Sequence, residues 1–183
     1  MKGEHLLFII DCRPADAGLT RPPTAYLGIF LALAVIFGYI EALIPVPVPV
    51  PGIKLGLANL VSTAILYVYG YREAITITIL RVFIIGFLFG NLFSIVYGLS
   101  GAVLSLTTMA FLRKTGLFRV ISVSAAGGAM HNTGQVMAAY FCVTGFPVAW
   151  YLPLLMLAGT GAGILTGIAD ALIIPRLHRF GVR

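Results

Sequence analysis

"AAGGAMHNTGQVMAAYF", residues 125–141, sets His131, Asn132 and Gln135 inside a run that is otherwise small and apolar. A buried polar side chain left without a partner costs about 1–3 kcal/mol, so three so close together need partners or a cavity of their own. On a helix, His131 and Gln135 share one face, and Asn132 lies about 100° round from His131. The remainder of the chain decides what surrounds that helix.

Of 183 residues, 60% are hydrophobic and 10% charged, against about 25% charged in a soluble domain. Mean hydropathy is +1.02. Such a chain cannot cover its own surface in water, and an integral membrane protein is expected. In lipid the backbone must satisfy its own hydrogen bonds, which leaves helices or a closed barrel. Barrel strands alternate apolar and polar residues, whereas the apolar runs here are continuous. The expected class is all-α.

A helix crossing the hydrocarbon core needs about 20 residues. Spans are expected at residues 24–44, 53–68, 74–90, 92–112, 120–143 and 148–174. The second and third are short, and only "GN" separates the third from the fourth, so five spans plus a re-entrant segment is the alternative. Residues 1–23 form a cytoplasmic lead-in, 24–175 the six-helix transmembrane domain and 176–183 a basic cytoplasmic tail. In the lead-in, "HLLFII" is too short for a signal-peptide core and acidic Asp11 follows it.

Lys and Arg gather on the cytoplasmic side of inserted helices. With the N-terminus inside, the inner segments hold Lys2, Arg13, Arg21, Arg72, Arg113, Lys114, Arg119, Arg176, Arg179 and Arg183. The outer loops hold only Lys54, and Arg81 falls within the third span. That bias puts both termini in the cytoplasm of a multi-pass protein, and the expected location is a prokaryotic plasma membrane. The net charge of +6 then needs no nucleic acid to explain it. Cys12 and Cys142 have no metal-ligand spacing and fall near opposite faces.

Small residues recur at four-residue spacing, which lets helix backbones approach closely. The sixth span carries Gly159, Gly163, Gly167 and Ala171; the first carries Gly28 with Ala32 and Ala34 with Gly38. Packing within the chain is the ordinary reading. The sharper one is a surface for a second membrane protein. The first outer loop, "PVPVPVPG" at 45–52, is stiffened by its alternating prolines. It is either a rigid connector or a lid over an outward cavity, with Pro47, Pro49 and Pro51 as the stiff part and Gly52 as hinge.

Ionisable residues within spans are functional candidates by default. Glu41 falls near the outer end of span one, Arg81 midway along span three, and Asn59 and Asn91 toward the outside, with Lys54 just above. These residues are expected to converge with His131, Asn132 and Gln135 on an outward-opening polar pocket suited to a carboxylate, phosphate or carbonyl. The bland alternatives are that the His–Asn–Gln group ties neighbouring helices together, and that Arg81 pairs with Glu41 or a carbonyl. Asp170 is expected to be a helix-end partner for Arg176 or a contact near the cytoplasmic face.

Catalysis is not expected. The chain has three aspartates, at 11, 16 and 170, and no paired acidic motif to hold Mg²⁺ on a diphosphate. It has no Gly-Lys-Ser/Thr phosphate loop. Ser100 in "GLSGA" lacks the strand–turn–helix setting of a nucleophile elbow. No cofactor and no metal are called for.

"PGIKLGLANLVS" (51–62) followed by "AMHNTGQ" (129–135) resembles the Gx transporter family, also described as heptaprenyl diphosphate synthase component I. Through it the chain resembles the substrate-binding S components of energy-coupling-factor (ECF) transporters, over roughly residues 25–175. The resemblance implies a six-helix S-component-like bundle with both termini inside. It also implies partners: a transmembrane coupling subunit and two ATPase subunits. S components present small residues of helix one to the coupling subunit; the nearest matches here are Gly28/Ala32 and Ala34/Gly38. It further implies that the loop after helix one gates the substrate.

The expected function is therefore a substrate-binding membrane subunit importing a small organic nutrient or an isoprenoid or quinone precursor. Its ligand would rest on Glu41, Lys54, Asn59, Arg81, Asn91, His131, Asn132 and Gln135. The alternative is a membrane anchor or accessory subunit of a prenyl diphosphate synthase or redox assembly, without catalysis of its own. A stand-alone ion-coupled carrier is weaker, because no internal repeat is visible.

Overall fold

The computed structural model describes residues 24–43, 56–142, 150 and 152–179. It is all-helical, with six helices and no strand among the described residues. They are α1 (Thr24–Leu43), α2 (Leu57–Val68), α3 (Tyr71–Phe89), α4 (Leu92–Thr115), α5 (Val120–Cys142) and α6 (Leu152–Arg179). The proline loop with Pro47, Pro49, Pro51 and Gly52, and Lys54 beside it, lies outside the described residues, as do the lead-in and the last four residues.

The helix breaks follow from local chemistry. Gly56, at φ 75°, starts α2 in a left-handed conformation that L side chains rarely adopt. The "GN" between α3 and α4 is a true break. Gly90 closes α3 by donating its N–H to Gly86 O (3.1 Å), and extended Asn91 caps α4 by accepting from the Ser94 N–H at 2.8 Å.

The helices pack in the order α6–α5–α4–α3–α1, and α2 contacts all five others. This placement explains the short span. At about 1.5 Å per residue, the 12 residues of α2 are shorter than a hydrocarbon core of about 30 Å. They form a buried rod, with every residue from Val61 to Tyr67 enclosed. At its C-terminal end the Arg113 guanidinium donates to the Leu66 and Tyr67 carbonyl oxygens and lies 5.1 Å from the Tyr67 ring centroid. A cation there offsets the unsatisfied carbonyls of the last turn.

The glycine stripe of α6 is an internal contact. Gly128 of α5 and Gly159 of α6 are so close that a Cβ on either would strike the other's carbonyl oxygen. A Cβ on Gly167 would come within 2.8 Å of Ile121 Cα. On the other side of α5, a Cβ on Gly134 would lie 2.6 Å from Ser100 O of α4. The four residues singled out on helix one divide. Gly28 has nothing within 4 Å of a Cβ position and Ala32 is exposed, but Ala34 is buried in the core and Gly38 faces Ile85 of α3. Ala34 and Gly38 are thus occupied within the chain, because they lie on the face of α1 that meets α3 and the core.

Exposure is inverted relative to a water-soluble protein. Phe87 is 75% and Leu92 76% exposed, while Gln135 and Asp170 are at 0%. Three helices, Thr24–Leu43, Leu92–Thr115 and Leu152–Leu177, are long and apolar enough to cross a membrane. α2 is too short, and it, α3 and α5 all carry polar side chains into the interior: Ser62 and Thr63, Thr78 and Arg81, and Ser124, Asn132 and Gln135.

Candidate functional site

One cavity of about 220 Å³ lies between the helices. Its walls include Glu41 of α1, Gly56 and Asn59 at the start of α2, Arg81 of α3, Ser94 of α4, His131, Asn132 and Gln135 of α5, and Thr166 of α6. All six helices contribute. Val82, Ile85 and Phe89 supply apolar wall, and glycines at 128, 159 and 163 let the cavity extend between α5 and α6.

Each polar group arrives for a local reason. Glu41 lies in the last turn of α1, and its Oε1 accepts the Gly56 N–H at 2.6 Å. That bond ties α1 to the N-terminus of α2, where a carboxylate complements the free amides and helix dipole. Arg81 sits midway along α3, 6% exposed, and its Nη1 has no hydrogen-bond partner. Glu41 is the acid whose charge reaches it, without a hydrogen bond to that nitrogen. Gln135 is fully enclosed, and neither its Oε1 nor its Nε2 has a partner. It fits because Gly101 of α4 has no side chain: a Cβ there would lie 2.8 Å from Gln135 Cγ and 3.2 Å from His131 Cε1.

Asn132 is differently employed. Its Nδ2 donates to Leu155 O of α6 at 2.5 Å, so it fastens two helices while touching the cavity. Asn91 does not line the cavity. It is exposed, and its Oδ1 is filled by the Ser94 N–H (2.8 Å) and Ser94 Oγ (3.0 Å). Capping claims the acceptor expected for a ligand. Six of the eight expected residues therefore share one cavity, Asn91 does not, and Lys54 lies outside the described residues.

Two polar wall residues were not anticipated, Ser94 and Thr166. Thr166 donates within its own helix to Ala162 O at 3.1 Å and meets Ser124 Oγ at 3.1 Å. Asp170 does not pair with Arg176. It is fully buried with neither carboxylate oxygen hydrogen-bonded, and Arg176 is exposed. Six positions along a helix turn the side chain about 240°, which places the two on different faces. Among the described residues no group of three or more His, Cys, Asp or Glu is arranged to hold a metal ion.

The cavity presents hydrogen-bonding and charged groups in an apolar frame. It has unused donors on Arg81 and Gln135, an unused acceptor on Gln135, and a counter-charge on Glu41. A family model described as heptaprenyl diphosphate synthase component I matches residues 30–173. The chain belongs to that family. The matched segment runs from within α1 to within α6 and so contains every cavity residue named above. Comparisons with curated proteins and with solved structures return no match.

Proposed function

We propose that this member of the component I family is the ligand-capturing membrane subunit of an ATP-driven importer of the ECF type. The observation that carries the reading is the cavity itself. Arg81 Nη1 and the whole Gln135 amide stand enclosed without partners. Folding does not leave such groups unsatisfied without compensation, and a bound molecule with an anionic or carbonyl end would supply it. On this reading all six helices are embedded in the plasma membrane with α2 inside the bundle, and both termini are cytoplasmic. The cavity lies toward the end where α1 gives way to α2 and α3 to α4, which that topology turns outward. The ligand is a small organic nutrient or an isoprenoid or quinone precursor. The chain performs no catalysis. A transmembrane coupling subunit and two ATPases supply the energy.

A second reading rests on the family's description. A prenyl diphosphate synthase component embedded in the membrane would anchor or assist a soluble catalytic partner, and the cavity would then hold part of an isoprenoid. Affinity purification from native membranes separates the two. Recovery of a coupling subunit with ATPases supports import; recovery of a prenyl synthase without them supports the anchor and removes the importer.

A further inference from the structure

Asp170 is used by neither reading. It is the chain's only aspartate outside the lead-in, where residues 11 and 16 lie. It sits one turn below Thr166 on the same face of α6, enclosed by α2 and α5, the two helices that pack on α6. Thr63 of α2 reaches toward it, but the Thr63 hydroxyl is directed to Asn59 O at 3.0 Å. Ser124 of α5 meets Thr166 at 3.1 Å. Neither carboxylate oxygen has a hydrogen-bond partner.

Among the described residues of the two helices packed on α6, compensating charge is also missing. α2 and α5 contain no Lys, Arg, Asp or Glu; their titratable groups are Tyr67 on α2 and His131, Tyr140 and Cys142 on α5. His131 lines the cavity, and Tyr140 and Cys142 are exposed at the far end of α5. Arg113 of α4 is committed to the carbonyls that end α2, and Arg176 is exposed. An isolated carboxylate in such a place neutralises or takes up a cation.

We propose that Asp170, with the hydroxyls of Thr63, Ser124 and Thr166, forms a buried monovalent-cation site beneath the cavity, occupied by a proton or a sodium ion. Oxygen donors from three helices suit either occupant and suit transition metals poorly. The site adjoins the cavity along two helices, through Asn59 to Thr63 and through Thr166 to Asp170. It stands whether or not the cavity takes a ligand.

Infrared spectroscopy of the detergent-purified full chain, with ¹³C-carboxyl aspartate incorporated, tests this. In the Asp11→Asn/Asp16→Asn background the label reports Asp170 alone, so the site residue stays native. In sodium-free choline buffer at neutral pH, a protonated-carboxyl band that shifts in D₂O is expected. If it persists when sodium is added, the occupant is a proton; if it gives way to a carboxylate band, the occupant is sodium. A carboxylate band already present in sodium-free buffer and unchanged by sodium overturns the proposal. Asp170→Asn, which keeps the shape without the charge, is expected to melt independently of sodium and to fold as well as the native chain.

Discussion

Gln135 brings a whole amide into the wall of the cavity. Both ends of its amide are enclosed and unpartnered, a condition costing about 1–3 kcal/mol. Gln135→Leu is therefore expected to raise the melting temperature of the purified protein while removing ligand binding. A variant that melts lower would show that the amide has partners. Asn132 has the opposite profile, since its Nδ2 is committed to Leu155 O. Asn132→Ala should lower stability by about 1 kcal/mol, seen as a lower denaturation midpoint. The sequence presents the two as equals, polar intruders one turn apart, and nothing in it tells the fastened amide from the idle one. Asn91 was misplaced for a different reason. Asn at a helix start is a capping signal, visible in "GNLFS", but its nearness to the outer end invited a ligand role. Thr166 was missed because a threonine that can bond back to its own helix carries no visible polar cost.

At the scale of the element, spacing and composition foretell most of the architecture. The limits of α1, α4 and α5 fall close to those expected from apolar length, and the four-residue glycine stripe of α6 marks its contact with α5. The apolar run of α2 marks a short helix; that its 12 residues are sheathed by the other five helices is a tertiary fact that no local pattern announces. The glycine contact makes a sharp prediction. In Gly128→Leu the new side chain meets the Gly159 carbonyl, backbone that cannot turn aside. The variant should be destabilised by several kcal/mol, beyond the about 1–3 kcal/mol of ordinary overpacking, and should accumulate poorly in membranes. Gly28→Leu, at a position with open space around it, should fold normally. If it also disrupts co-purification of partner subunits, this face of α1 is their contact.

For the whole molecule, the proposed orientation rests on the bias of cations. Cys142 is exposed at the end of α5, which the proposed topology places outside. In a Cys12→Ser background, a membrane-impermeant maleimide should label intact cells at Cys142. Labelling only after permeabilisation would reverse the orientation and turn the cavity toward the cytoplasm.

The central claim is that the cavity among the six helices holds a small molecule through Arg81 and Gln135. Native mass spectrometry of the protein released from detergent, beside its Arg81→Gln/Gln135→Leu variant, tests it most directly. The native chain should carry a discrete small-molecule adduct that the variant lacks. A native chain with no adduct from ligand-replete membranes, or the same adduct on both proteins, would contradict the claim.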